Sequence, residues 1–306
     1  MRGRTVFLVV LFAGVFAGGS ASAQFNASRG QNAPTESVQE DYLTDEGEKK
    51  TRTVRRRPKA DAFGNAVGSQ FDLAVDGAFD GQTVAVLHLY TGGGFDFSLP
   101  KAALSEKGFS VYRWINTAPS PKVLKEGLDK ACQLWIISGS QRHLSDAHVK
   151  IIKAFFESGR GVYIWGDNEP FYTDANVVAK ALFNGEMLGN LPGTKTVTVR
   201  KGQQKVGLMP NHDITTGLEH LYEGITIATL QPNDALDPLL YGSAGNLVAA
   251  IYDHKGRRAV LDGGFTRLYI NWDTAGTARY VKNAASWLVN HERFGDSVLA
   301  DSLRKK

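Results

Sequence analysis

Three short apolar runs constrain this chain more than any other feature. Val84-Ala85-Val86-Leu87-His88-Leu89, Leu134 to Ser138 and Val162 to Trp165 carry almost no polar interruption. Runs of that length suit strands buried on both faces, as in a parallel sheet covered by helices on each side. The segments between them have helical character. Pro100 to Lys107 reads as a helix and Phe109 to Ile115 as a further strand, and Pro121 to Ala131 reads as a helix with Pro121 in its first turn. Ser145 or Asp146 caps a helix that carries Val149, Ile152, Phe155 and Phe156 on one face and ends at Gly159. Asn176 to Phe183 continues as helix after the fourth strand. Strands alternating with helices through short loops predict right-handed parallel βαβ units.

The second half has a different pattern. Thr196 to Arg200, Ile225 to Leu230, Leu247 to Tyr252 and Arg258 to Leu261 are strand-like, and Asp253-His254-Lys255-Gly256 reads as a hairpin turn. A final helix is predicted from about Ala275 to Asn290, with Ala278, Val281, Ala285 and Leu288 at helical spacing and Asp273 or Thr274 as its cap. The expected fold class is therefore α/β: a three-layer sandwich with a mostly parallel central sheet and a late antiparallel hairpin, spanning residues 80–292.

The flanks read differently. Arg2 and Arg4, an apolar segment from Val6 to Ala17, and Ala21-Ser22-Ala23 before Gln24 form the pattern of a cleavable signal peptide over residues 1–23. Its apolar core is short for a span of ~20 residues. The expected location is secreted or periplasmic, with no membrane span after cleavage. Residues 24–79 are rich in Gln, Asn, Ser and charge, with an acidic block before the basic run Thr51 to Lys59. They read as a disordered charged spacer, although the two blocks could also self-associate. Residues 293–306 read as a polar tail. The net charge of +4 is largely local to that basic run, so it does not indicate a nucleic-acid partner. With a single cysteine, Cys132, the chain has no internal disulfide and depends on its hydrophobic core.

Three segments carry a family resemblance: Gly159-Arg160-Gly161-Val162-Tyr163-Ile164-Trp165-Gly166-Asp167-Asn168, Arg258-Ala259-Val260-Leu261-Asp262-Gly263-Gly264-Phe265 and Asn283-Ala284-Ala285-Ser286-Trp287-Leu288. In their order and spacing they resemble the class I glutamine amidotransferase-like fold, a flavodoxin-like sandwich that hosts amidotransferases, proteases and noncatalytic binding modules. The resemblance implies a nucleophilic Cys at the strand-to-helix turn and a later His. Here that turn holds Gly166, Asp167 and Asn168. Cys132 lies before the third strand, on the order of 20 Å from the ligand-binding edge, and reads as a buried apolar residue.

The loops leaving the strands define the default ligand site. They supply Gly93 and Gly94; Ser138 and Arg142; Asp167, Asn168, Glu169, Tyr172 and Asp174; and Arg267 and Asp273. Several readings compete there. Asp167, Glu169 and Asp174 could hold a hard cation, but their spacing matches no EF-hand loop. Asp167 and Glu169, with His212 reaching in, could do acid–base work. Alternatively, these polar groups cap helices and bond neighbouring backbone. The aromatics Trp165, Phe171, Tyr172, Tyr269 and Trp272 either pack the core or bind a sugar or peptide. The reading calls for no cofactor and no metal. The expected partner is a small molecule, a glycan or an envelope protein. The expected function is an exported noncatalytic binding or interaction module, with a carboxylate-dependent hydrolase acting through Asp167 and Glu169 as the alternative.

Overall fold

The computed structural model describes residues 24–270, 272 and 275–294. The signal-peptide segment 1–23, most of the expected polar tail and Asp273 lie outside the described residues. The strands, in chain order, are β1 (Glu36–Leu43), β2 (Lys49–Arg56), β3 (Thr83–His88), β4 (Ser110–Ile115), β5 (Gln133–Ile137), β6 (Gly161–Trp165), β7 (Met187–Pro192), β8 (Thr196–Thr198), β9 (Gly207–Leu208), β10 (His220–Tyr222), β11 (Thr226–Leu230), β12 (Asp237–Tyr241), β13 (Leu247–His254) and β14 (Arg257–Asp262). The helices are α1 (Ser98–Glu106), α2 (Pro121–Leu128), α3 (Asp146–Glu157), α4 (Thr173–Phe183), α5 (Thr277–Leu288) and α6 (His291–Phe294). Arg293 and Phe294 thus belong to α6, not to the polar tail.

Eight strands form one sheet in the order β4-β3-β5-β6-β14-β13-β12-β9. β4, β3, β5, β6 and β14 run parallel, and the β13–β14 hairpin adds the antiparallel part. The apolar runs become strands because both of their faces are covered, as the period-2 alternation requires. Val84, Val86, Trp135, Ile137, Tyr163 and Trp165 face α1 and α5 on one side. Ala85, Leu87, Leu134, Ile136, Val162 and Ile164 face α2, α3 and α4 on the other. Two smaller antiparallel pairs, β7 with β11 and β8 with β10, complete the second half.

Residues 24–79 are not a spacer without structure. Asn26 Nδ2 donates to the carbonyls of Ser69, Asp72 and Ala74 at 3.1, 3.0 and 3.1 Å. Leu73, Ala74 and Phe79 are fully buried. Asp72 is also fully buried and meets Arg279 at 2.7 Å, Lys282 at 2.8 Å and Lys107 at 2.9 Å. Burial opposes its charge, but these three cations hold the Asp72 carboxyl below the usual carboxylate range. Few apolar residues and side-chain-to-backbone anchoring leave no periodic pattern, which is why composition misjudged this segment. The acidic and basic blocks pair with each other as the exposed β1–β2 hairpin, through Glu36–Arg56, Glu40–Arg52 and Asp41–Lys49.

Candidate functional site

The parallel strands β3, β5, β6 and β14 all end at one edge of the sheet, where open α/β sheets bind ligands. Strand order reverses between β3 and β5, and the two loops that leave these strands approach each other closely. Gly139 follows β5 so closely against the preceding loop that a Cβ on it would strike the Leu89 carbonyl. At the end of β6, the Gly166 N–H donates to the Asp262 carbonyl at 2.9 Å, and the Phe265 N–H donates to the Gly166 carbonyl at 3.1 Å. A side chain at Gly166 would collide with the Met187 sulfur. The turn after β6 is therefore stitched to the exit of β14.

Most of the polar residues expected at this edge bond inward. The Ser138 hydroxyl accepts the Asp174 and Ala175 N–H groups at 3.0 and 3.1 Å, which caps the first turn of α4. The Asp174 carboxylate, fully buried, accepts the His143 N–H at 3.0 Å and the Leu144 N–H at 2.9 Å. Burial raises its pKa even against those bonds. Arg267 is also fully buried. Its Nη1 donates to Asp262 at 2.5 Å and its Nη2 to the Glu223 carbonyl at 2.9 Å. Burial works against the guanidinium charge, but adjacent Asp262 outweighs it and holds the Arg267 pKa above its ordinary value. Asp262 also accepts the Tyr280 hydroxyl at 2.9 Å. Arg142 is exposed and tied to the Leu144 carbonyl at 2.9 Å and to Asp146 at 2.8 Å. These residues build the edge; they do not line a cleft.

Asp167 differs from the rest. It is 4% exposed, and its Oδ1 has no hydrogen-bond partner. Burial pushes its carboxyl up to about 8, against the lowering influence of the Asn168 N–H and Arg267. At neutral pH it is a neutral acid with a proton to donate. Glu169 is not its partner: the groups acting on Asp167 are Asn168, Arg267 and Asp262, while Glu169 is exposed. His212 does not reach this edge. It accepts the Ile214 N–H at 3.1 Å, packs on Trp287 and lies near Asp253 and Arg258, at the start of β14. In register, that is the opposite end of the strands. The expected grouping of Asp167, Glu169 and His212 is thus corrected: a buried group, an exposed one and one at the far edge. Among the described residues no three His, Cys, Asp or Glu side chains gather as a metal-binding group. Asn168 is half-buried, its Nδ2 donating to the Glu169 carbonyl at 2.9 Å. Tyr172 packs against the core on the α4 side, and Gly93 and Gly94 sit in open space on an exposed loop.

Aromatic side chains occupy the mouth of this edge. Tyr90 lies 4.7 Å from Phe265, 5.5 Å from Phe171 and 6.5 Å from Phe95, ring to ring, and its hydroxyl meets that of Tyr269 at 3.3 Å. Trp165 and Trp272 are buried in the core. Two clefts of 240 Å³ each flank Phe95. One is lined by His88, Tyr90, Phe95, Arg113 and Asn116, the other by Gly94, Phe95, Phe97, Leu99 and Tyr269. Arg113 donates from Nη1 to the Asp96 carbonyl at 2.8 Å and to His88 Nδ1 at 3.2 Å. Guanidinium can only donate, so His88 Nδ1 accepts and the ring is neutral, with its proton on Nε2. Burial, reinforced by Arg113, lowers its pKa to about 4. The Asp96 carboxylate lines both clefts and is held below its ordinary pKa by bonds to Ser98 and by the field of Arg113.

Sequence reasoning missed Tyr90, Phe95, Arg113 and Asn116. The available signal was two aromatics, Phe95 and Phe97, in a loop just after a glycine triplet. A larger cavity of 460 Å³ lies between α2 and α3, lined by Leu128, Ile151, Phe155, Lys125 and Arg160. It sits toward the C-terminal ends of both helices, where basic side chains complement the helix dipoles, away from the strand ends considered above.

No family model matches the chain, and no curated protein matches its sequence. Its structural neighbours include an exo-β-1,4-mannosidase from an Opitutaceae bacterium, strain TAV5, at 12% identity and a TM-score of 0.39, covering 68% of this chain and 36% of that one. A GMP synthase-like protein from Thermoplasma acidophilum has 9% identity and a TM-score of 0.42, covering 69% and 96%. A ThuA-like protein from Parabacteroides merdae has 12% identity and a TM-score of 0.43, covering 68% and 89%. The chain thus spans about a third of the mannosidase's length. These likenesses are of fold outline and assign no residue.

Proposed function

We propose that this chain is an exported noncatalytic binding or interaction module on a glutamine amidotransferase-like domain, with its ligand held in the Tyr90–Phe95 cleft. One observation carries the reading. The charged groups at the strand ends bond to the protein's own backbone and to each other, and the groups that line the cleft are aromatic rings with Arg113 and the nearby Asp96 carboxylate beside them. Ring faces beside a cation, a carboxylate and an amide suit a small ring-bearing molecule or a glycan residue. Cys132 supports the reading too: it lies at the start of β5, 3% exposed, and burial pushes its thiol up to about 12, which suppresses the nucleophilic thiolate. Export rests on the pattern of residues 1–23, and N-terminal sequencing of the mature protein should begin at Gln24. The cleft is tested by titrating glycans and small ring compounds while following ligand NMR signals. Binding should weaken at least about tenfold in Tyr90→Ala. Unchanged affinity in that variant counts against this site.

One observation favours the hydrolase alternative: the protonated Asp167 has an unpartnered oxygen, as a general acid at neutral pH requires. With Glu169 and His212 elsewhere, it lacks the second group expected from sequence. Turnover of an amide, ester or glycoside that disappears in Asp167→Asn would establish that alternative.

A further inference from the structure

Two features of this chain take no part in the strand-end site, and each carries what the other lacks. The first is the β1–β2 hairpin. Among the described residues its strands pair only with each other. Nearly every residue in it is exposed, and a two-stranded hairpin in water is marginally stable without a partner surface. With eight residues per strand it reaches about 27 Å from its base. A tight turn fixes the tip: the Thr44 N–H donates to the Glu48 carbonyl and the Gly47 N–H to the Thr44 carbonyl, both at 2.9 Å. Leu43, 70% exposed, stands at that tip. Residues 41–50 around it hold four carboxylates (Asp41, Asp45, Glu46 and Glu48) and two lysines, a net charge of −2. Asp41 meets Lys49 at 2.9 Å and Glu48 meets Lys50 at 3.1 Å. Asp45 and Glu46 are exposed and have no ion pair among the described residues.

The second is the 460 Å³ cavity between α2 and α3. Its floor is apolar: Leu128 and Phe155 are buried, and Ile151 and Ala154 complete it. Lys125 and Asp129 line it as a pair, at 2.7 Å. Lys150 and Arg160 line it as well and make no ion pair among the described residues. Three cations and one carboxylate give the lining a net charge of +2. The two helix C-termini, at about half a charge each, offset only part of it.

We propose that the hairpin tip of one copy docks in the α2–α3 cavity of a second copy, with Leu43 on the apolar floor and Asp45 and Glu46 against Lys150 and Arg160. Charge, apolar surface and protrusion are matched within one sequence, which selects a second copy as the occupant. The two features do not meet within one chain. No hairpin residue lines the cavity. The hairpin's base is tied by Arg57 to Glu219 at 3.4 Å, beside β10 on the α5 side of the sheet, whereas α2 and α3 cover the other side. Cavity against cavity, or tip against tip, would set like charge against like, so the contact is heterologous, tip to cavity. One leucine and two exposed ion pairs make a weak contact, with a Kd on the order of 100 μM. It does not involve the Tyr90–Phe95 cleft, so it stands or falls apart from the function proposed above.

The test is sedimentation equilibrium of the purified mature chain up to about 1 mM, roughly ten times the expected Kd. Association should rise with concentration and weaken with added salt. Two charge-reversed variants separate the halves of the contact: Asp45→Lys with Glu46→Lys at the tip, and Lys150→Glu with Arg160→Glu at the cavity. Each should associate at least about fivefold more weakly. An equimolar mixture of the two should associate again, because each then offers the other a tip and a cavity of opposite sign. Leu43→Ser should weaken association about tenfold both in the native chain and, when built into both variants, in the mixture, which general charge attraction would not do. Leu43 is exposed at a hairpin tip, so this variant leaves the core intact. Three results each overturn the proposal: a native chain that stays monomeric at about 1 mM, association unchanged in Leu43→Ser, or a mixture of the charge-reversed variants that stays monomeric.

Discussion

Replacing Asp167 by asparagine should change how stability depends on pH, and the size follows from the site. The side chain is 4% exposed, one carboxyl oxygen has no partner, and burial holds the group at about 8 in the folded chain. The unfolded chain returns it to an ordinary value near 3.9. Because the folded pKa is the higher one, the folded state binds more protons between these limits. The favourable contribution is complete below about pH 4, declines as pH rises, and is gone above about 8. Each pH unit inside that window costs about 1.4 kcal/mol, so from pH 5 to 8 the loss is on the order of 4 kcal/mol, an upper bound before relaxation of the site. An asparagine side chain has nearly the same shape and does not ionise. Urea unfolding of both proteins should give similar stability at pH 5 and an Asp167→Asn variant more stable by several kcal/mol at pH 8.5. Asp174 titrates in both proteins and cancels in the difference. A difference that stays constant across the range would refute the buried, partnerless placement of Asp167.

The remaining predictions concern groups that build the edge and the arm. Asp72→Ala removes the buried carboxylate shared by Lys107, Arg279 and Lys282, while Lys107 keeps Asp76 at 2.6 Å and Lys282 keeps Glu106 at 2.8 Å, so it should cost about 1–3 kcal/mol in denaturant unfolding and speed protease cleavage within residues 60–79. Asp174→Ala leaves the buried His143 and Leu144 N–H groups without an acceptor and should cost about 1–3 kcal/mol. Cys132 should resist thiol reagents in the native protein at pH 8 and react fully in denaturant, since its thiol is held at about 12.

The core of the fold was legible because buried parallel strands announce themselves. The runs at Val84, Leu134 and Val162 have no solvent face, so no other element explains them, and the capped helices between them follow. The N-terminal arm was not legible. Its attachment depends on Asn26 bonding three carbonyls and on Asp72 meeting three cations up to 210 residues away in the chain, and such polar pairings leave no periodic trace (Leu73 N–H to Asn283 Oδ1 is one of them). The site was half legible. Topology brings the strand-end loops to one edge, as the order of elements implies, but which way a polar side chain turns depends on neighbours brought by the fold. Asp174 and Arg267 looked available and are consumed internally; Arg113 read as one residue of a strand and opens into a cleft because β4 is an outer strand.

The claim that matters most is that the Tyr90–Phe95 cleft binds and does not turn over its ligand. Saturation-transfer NMR on a mixed panel of glycans and small ring compounds, with the same samples followed by mass spectrometry, reads both properties at once. Saturation transfer should reach at least one ligand and be lost in Tyr90→Ala, with every ligand mass unchanged. A product that accumulates with the native chain and vanishes in Asp167→Asn would contradict it.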